Sequence, residues 1–162
     1  MNNDTVSDVF GGRLRVRVCG LCTDDAGRLL LTLHKGLGPA GRLWIPPGGG
    51  MHYGEPAEEC LVREIYEETG LTTEAEELLF IYEYLQKPLH AVELYFKARI
   101  TGGEIRQGYD PELNDDQQII QKSEFLGKEQ INGIPLNMRH EILKKYMTPK
   151  DLLGLRGYFR FH

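Results

Sequence analysis

The stretch Gly49-Gly-Met-His-Tyr-Gly-Glu-Pro-Ala-Glu-Glu-Cys-Leu-Val-Arg-Glu-Ile-Tyr-Glu-Glu-Thr-Gly-Leu71 decides how this chain is read. A helix is expected from about Pro56 to Thr69. Pro56 suits the first helical position, with Glu55 as its cap, and Glu58 and Glu59 complement the positive end of the helix dipole. Gly70 is a natural stop. On a wheel of 3.6 residues per turn, Glu64, Glu67 and Glu68 share one face. Ala57, Leu61, Ile65 and Thr69 form the neighbouring stripe, which must face the core. The three carboxylates therefore sit at the edge of buried surface, where like charges repel more strongly than in water. Arg63 is the cation within the cluster. Neighbouring residues diverge on a helix, so its side chain is expected to reach the preceding loop and orient a carboxylate from there. A divalent ion is the natural neutraliser, and an all-oxygen donor set points to Mg²⁺ or Mn²⁺. Taken alone, a Glu-rich helix is more often a solvated face. The surrounding pattern decides between the two.

Upstream, Leu14 to Thr23 alternates as a strand does, and Asp24-Asp-Ala-Gly27 is a turn signal. Arg28 to His34 reads as the buried return strand of a hairpin. Leu43-Trp-Ile45 is a short strand stopped by Pro46-Pro47. Downstream, Leu79 to Leu85 and Ala91 to Ile100 read as two more strands. On the second, Val92, Leu94, Phe96 and Ala98 alternate with Glu93, Tyr95, Lys97 and Arg99. Thr101-Gly102-Gly103 ends it, and Gly108 to Gln118 is a polar, acidic loop. Phe125 belongs on or near a last core strand. Pro135 to Tyr146 reads as a second helix with Ile142 and Leu143 inward. Leu152 to His162 is an apolar-aromatic tail that packs on the domain or on a partner subunit. Strands, a helix, more strands and a helix indicate an α+β fold with a mixed sheet covered by helices.

Bulk properties narrow the function. A chain of 162 residues with 41% hydrophobic and 27% charged residues is expected to form one domain, residues 1–162, with a core that needs no staples. A net charge of −5 argues against a nucleic-acid backbone as partner, while leaving room for a small anionic ligand. No apolar run is long enough for a membrane span, and Met1 to Phe10 lacks a signal-peptide core, so a cytoplasmic location is expected. Three cysteines, Cys19, Cys22 and Cys60, form no framework and fit a reducing compartment. Cys19-Gly-Leu-Cys22 lies on an alternating strand, which favours small buried side chains over a redox or zinc pair.

The residues Gly49, Glu55, Arg63, Glu64, Ile65, Glu67, Glu68, Gly70 and Leu71 fill every defined position of Gly-x5-Glu-x7-Arg-Glu-U-x-Glu-Glu-x-Gly-U, where U is a bulky aliphatic residue. This stretch resembles the Nudix box, and the lead-in Trp44-Ile-Pro-Pro-Gly-Gly49 is similar to the family's own, with Pro46 in a slot often held by Leu. The box covers about a seventh of the chain. The order of elements around it is similar to small bacterial Nudix hydrolases.

The resemblance implies a Nudix-type α/β/α sandwich. It also implies Mg-dependent hydrolysis of a nucleoside diphosphate linked to another moiety, an ADP-ribose-like sugar nucleotide or a nucleoside triphosphate. Water attacks a phosphorus of the pyrophosphate linkage. Glu68 and Glu64 are the surest metal ligands it implies, joined by Glu67, by the Gly48 carbonyl, and by Glu55 directly or through water. The catalytic set is Glu64, Glu67 and Arg63 with an acid from the later loop. Asp110, Glu112, Asp115 and Asp116 are the candidates there, with Glu112 and Asp116 put forward. Where many relatives carry a Glu before the last core strand, this chain has Gln117-Gln118, and a Gln cannot act as a base. Arg15 and Arg17, with Arg13 alternating along the first strand, are candidate phosphate contacts. Trp44, Tyr84 and Tyr82 are candidates for stacking on a base. His34, His52 and His90 receive no role. Pro88 lies near a position where ADP-ribose hydrolases of the family often carry Pro. A small-molecule nucleotide is the expected partner, with a homodimer possible. The competing readings are a non-catalytic Nudix-like sensing or interaction domain, and an RNA decapping enzyme that would want a basic channel.

Overall fold

A computed structural model describes residues 3–145 and 148–160, with side chains from Ser7 onward. The elements, in order, are α1 (Asn3–Phe10), β1 (Leu14–Leu21), β2 (Leu29–Lys35), β3 (Arg42–Ile45), β4 (Gly48–Gly50), α2 (Ala57–Thr69), β5 (Leu71–Gln86), β6 (Leu89–Gly103), β7 (Ile120–Leu126), α3 (Lys128–Gly133), α4 (Glu141–Lys145), α5 (Pro149–Leu153) and β8 (Gly157–Arg160). The strands form two sheets: a mixed five-stranded sheet in the order β4-β1-β6-β5-β8, and an antiparallel three-stranded one in the order β3-β2-β7.

Alternation along the strands assigns the helices to opposite faces. Val18 and Leu30 point toward Cys60, Leu61 and Ile65 of α2. Cys19, Leu29, Leu31 and Leu33 point the other way, into a second core cluster with Ile131 of α3, Ile142 and Leu143 of α4 and Leu152 of α5. The expected α+β fold with a mixed sheet flanked by helices is what the chain adopts. Gly20 lets α2 lie close: a Cβ there would stand 2.7 Å from Ile65 Cδ1.

Several expectations are corrected. β1 and β2 do not form a ladder: they touch through a Thr23–Leu29 bridge and then diverge into separate sheets, β1 pairing with β4 and β6. Period-2 alternation reports a strand and its faces, and says nothing of its neighbour. β5 begins at Leu71, directly after the Gly70 stop, and β6 runs on through Thr101-Gly102-Gly103, because the two pair over their full length with register shifts that absorb the irregular stretches. Pro56 caps α2 from outside, so the helix starts at Ala57, and Glu55 turns its carboxylate to Arg63 and the His52 N–H instead.

The helix expected over Pro135–Tyr146 is broken. Leu136–Met138 is a single 3-10 turn, Arg139 is extended and bridges to Trp44, and α4 restarts with the His140 ring accepting the Ile142 N–H at 3.3 Å. Tyr146 lies outside the described residues, as do Phe161 and His162. The tail is used within the chain, as α5 and then β8 on the free edge of β5. Three helices, α1, α3 and α5, are not expected from the sequence. All are short, with too few apolar positions to show a period. Among the described residues no helix is long and apolar enough to cross a membrane.

Candidate active site

The register of β1 against β6 places Arg15 beside Ala91 and Arg17 beside Glu93 on one face of the large sheet. That face, His34 of β2, Leu43 and Ile45 of β3, and the loop 108–119 enclose a cavity of about 130 Å³. Its lining is acidic, from Glu64 and Glu68 of α2, Glu93, Asp110 and Glu112, and cationic, from Arg15 and Arg17. Phe10, Leu37, Tyr84 and Leu89 add aromatic and apolar surface, and the backbone of β4 completes it.

β4 lies directly on the carboxylates. The Gly48 N–H donates to Glu68 Oε2 at 3.1 Å, and a Cβ on Gly49 would fall 2.3–2.5 Å from the Glu64 carboxyl. Gly49 therefore has no side chain for a steric reason: the backbone must pass within contact of a buried carboxylate. Glu64 and Glu68 are both buried. Burial pushes the Glu64 carboxyl up to about 7, and burial together with the Glu64 charge holds Glu68 well above the usual range.

Arg63 is bound up with this cluster more tightly than helix spacing implies. Its Nε and Nη2 grip Glu55 at 2.7 and 2.9 Å, Nη1 reaches Glu64 at 2.8 Å and Glu67 at 3.2 Å, and Nη2 donates to the Gly50 carbonyl at 3.2 Å. Adjacent residues do diverge at Cβ, but a guanidinium on a long stem swings back across the helix end. These hydrogen bonds bring the Glu55 carboxyl down to about 2. Both Glu55 oxygens accept from Arg63, and Oε2 accepts from the His52 N–H as well.

Among the described residues, no three carboxylate, imidazole or thiol groups are already gathered to hold a metal ion. The donor set nonetheless fits one. Glu64 and Glu68 are hard oxygen donors, adjacent, buried, and held where their ionisation is opposed until a cation arrives. This fit makes a prediction about stability. A carboxyl whose folded pKa is raised contributes stability below its ordinary pKa of about 4.5, and that contribution is lost as pH rises through about 7. In chelator-treated protein, Glu64→Gln is therefore expected to melt above the wild type at pH 8, by on the order of 1–3 kcal/mol, with the gap closing toward pH 4.5. Thermal melts of the two proteins across that range check it, and equal pH profiles would refute it.

Beneath the cations lies a buried network. Glu93 Oε1 accepts from Arg17 Nη1 at 2.6 Å, and Oε2 accepts from the Tyr95 hydroxyl at 2.7 Å and stands 3.2 Å from His140 Nε2. Burial raises the Glu93 carboxyl, but the charges of His140 and Arg17 prevail and bring it to about 2. His34 is buried against Thr32 Oγ1 at 3.0 Å and stands 3.7 Å from Glu68; burial and the Arg17 charge push it down to about 3, so it is neutral.

The other expected residues separate. Tyr84 lines the cavity. Trp44 does not: it is buried in the helix-covered core, its ring facing Lys122 and its carbonyl accepting the His140 N–H. Tyr82 is core as well, edge-on to His140. Arg13 is exposed and donates to the Val9 carbonyl. In the loop, Asp110 and Glu112 reach the cavity, while Asp116 sits exposed on a 3-10 turn away from it and Asp115 accepts from Tyr109. The turn rotates the Asp115–Gln117 side chains outward, which residue counting along a loop could not show. Gln118 has its own task. Its amide accepts the Asp110 N–H at 2.7 Å and donates to the carbonyls of Asp110 and Leu113 at 2.8 and 3.0 Å. Phe10, Glu93 and His140 were not singled out in the sequence. Glu93 read as an outward residue of an alternating strand, and only the second layer over that face buries it. The three cysteines are free and buried, as expected.

The NUDIX domain family matches residues 13–150. The chain is 33% identical over 140 residues to an ADP-ribose pyrophosphatase of Methanocaldococcus jannaschii, covering 84% of this chain and 75% of that one. It is 31% identical over 112 residues to diphosphoinositol polyphosphate phosphohydrolase 3-alpha of Homo sapiens, covering 58% and 65%. In structure it resembles a NUDIX hydrolase from Nitrosomonas europaea with a TM-score of 0.70 at 18% identity, over 89% and 93% of the two chains. With the complete box running from β4 through α2 to the start of β5, and with Glu64 and Glu68 lying against β4, the chain belongs to the Nudix family of pyrophosphate-bond hydrolases, which generally use divalent metals.

Proposed function

We propose that this chain, as one Nudix domain over residues 1–162, hydrolyses a nucleoside diphosphate linked to another moiety, with an ADP-ribose-like sugar nucleotide as the first candidate. The observation that carries this is the pair of buried carboxylates, Glu64 and Glu68, pressed against β4 in a cavity that Arg15, Arg17 and Tyr84 also line. The likeness to the M. jannaschii enzyme supports the substrate class. Glu64, Glu68 and the Gly48 carbonyl would hold Mg²⁺ or Mn²⁺, with Glu67 joining once released from Arg63. When bound, the ion supplies charge neutralisation at the phosphoryl oxygens and activation of water.

The chain's own residues do the rest. Arg15 meets the pyrophosphate, and Arg17, tied to Glu93, sets the positive potential beneath it. Tyr84 and Leu89 receive the nucleoside. Arg63 fixes Glu55, Glu64 and Glu67 in a common frame. Asp110 is the proton acceptor for the attacking water that best fits the geometry: it lines the cavity, its carboxyl is raised by burial, and it feels the charges of the box glutamates. Glu112, tied to His52 at 3.3 Å, is its neighbour. A cytoplasmic location accords with three free buried cysteines. A homodimer is a further possibility of this reading; within the chain, the described part of the aromatic tail pairs as β8 with β5.

The test is phosphate or mononucleotide release from a panel of ADP-ribose, other sugar nucleotides and nucleoside triphosphates with Mg²⁺. Turnover of at least one is expected, with Asp110→Asn lowering kcat by ~10²-fold or more and Asp116→Asn leaving it near wild type. Metal binding without turnover of any substrate would favour a sensing domain instead.

A further inference from the structure

Three guanidinium groups stand at this cavity or beside it, and they differ in what their N–H donors do. Those of Arg63 are taken by Glu55, Glu64, Glu67 and Gly50. Arg17 gives its closest bond to Glu93. Arg15 has no hydrogen-bond acceptor and no ion-pair contact among the described residues; the carboxylates of Glu112 and Glu64 act on it only at longer range. What holds it is a ring. Its Cζ lies 3.9 Å from the centroid of Phe10, the last residue of α1. On the other side Gly50 leaves it room, since a Cβ there would stand 3.1 Å from Nη2. The guanidinium is half-buried, and burial with the Arg17 charge brings its pKa down to about 10.

An aromatic face can fix a guanidinium without using its donors. A carboxylate at the same place would neutralise the charge and compete for the N–H groups that an incoming phosphate needs. Phe10 is itself fixed: it is buried with Leu113, Ile119 and Ile120, which flank the acid loop, and α1 is tied down where the Gly12 N–H donates to the Pro88 carbonyl at 2.9 Å. α1 ends before residue 13, where the match to the family begins.

We propose that Phe10, from a helix outside the matched family domain, is a positioning residue that holds Arg15 with its donors open for the substrate's pyrophosphate. This rests on the reading of Arg15 as a phosphate contact. The experiment uses the full chain with ADP-ribose and Mg²⁺, and follows binding of inorganic pyrophosphate by calorimetry in parallel. Phe10→Leu keeps the apolar packing and removes the ring face. It is expected to raise KM by roughly 3- to 10-fold and weaken pyrophosphate to a similar degree, with kcat within about twofold. Phe10→Tyr is expected to restore both. In an Arg15→Met background Phe10→Leu is expected to add nothing. Should Phe10→Leu fold poorly, trifluorinated phenylalanine at position 10 preserves the shape, weakens the ring face and is expected to raise KM likewise. Wild-type KM in Phe10→Leu or in the fluorinated protein, or an unchanged Phe10→Leu effect without Arg15, overturns the proposal. Absence of ADP-ribose turnover by the wild type counts against the substrate assignment alone, and the pyrophosphate arm still decides the role of Phe10.

Discussion

Glu68→Gln is expected to lower turnover by at least ~10³-fold while leaving the fold intact. The residue is 5% exposed, and one carboxylate oxygen accepts the Gly48 N–H. An amide of the same shape can keep that bond through its own oxygen, so packing and β4 stay in place. What it cannot supply is negative charge. The stabilisation of charge on a transferring phosphoryl group depends on cations that, on the proposed reading, this carboxylate would hold. Burial already opposes ionisation of Glu68, so the uncharged variant should be at least as stable as the metal-free wild type. That separates loss of chemistry from loss of fold. The check is kcat with Mg²⁺ on the best substrate of the panel, with a thermal melt and a metal titration beside it. Turnover within tenfold of the wild type would end the assignment of Glu68 to the metal.

The second large effect is on stability. Glu93→Ala is expected to cost about 3–5 kcal/mol, a fall of roughly 10 °C in Tm. Glu93 is 2% exposed and accepts from Arg17 and Tyr95, with His140 beside it. Truncation leaves Arg17 buried without its carboxylate, and the penalty is that of an orphaned charge more than of one lost contact. The double variant Arg17→Met, Glu93→Leu is therefore expected to recover much of the Tm while remaining catalytically impaired, because the cavity has lost a cation. Denaturant or thermal melts of the single and double variants decide this. Additive losses would show that the network is not one unit.

What the sequence reveals and what it withholds follow from the range of each signal. The α2 segment was legible because its period, its Gly70 stop and its acidic spacing are all local; Arg63 reaches Glu64 and Glu67, and Glu68 feels the charge of Glu64. The split of β1 and β2 into two sheets was not, since both strands alternate alike whichever neighbour they take. Trp44 is a residue type more often found in the core than on a base, and its place is fixed by packing with α4 and by the Arg139 bridge far along the chain. Asp110 and Asp116 look equivalent in an acidic loop until a 3-10 turn points one outward. Phe10 ends a segment too polar to announce a helix, and its role appears only when Arg15 is seen lying against it.

The clasp formed by Gln118 has a further consequence. Its primary amide donates to two carbonyls while accepting an N–H, a combination that an ionised glutamate at that place could not sustain, since a carboxylate has no proton to give. The segment bearing Asp110 is thus fastened by a group that does not titrate. Alkalinity or acidity can change the protonation of the acids displayed there without loosening the frame that displays them, so scaffolding and proton traffic are assigned to different side chains.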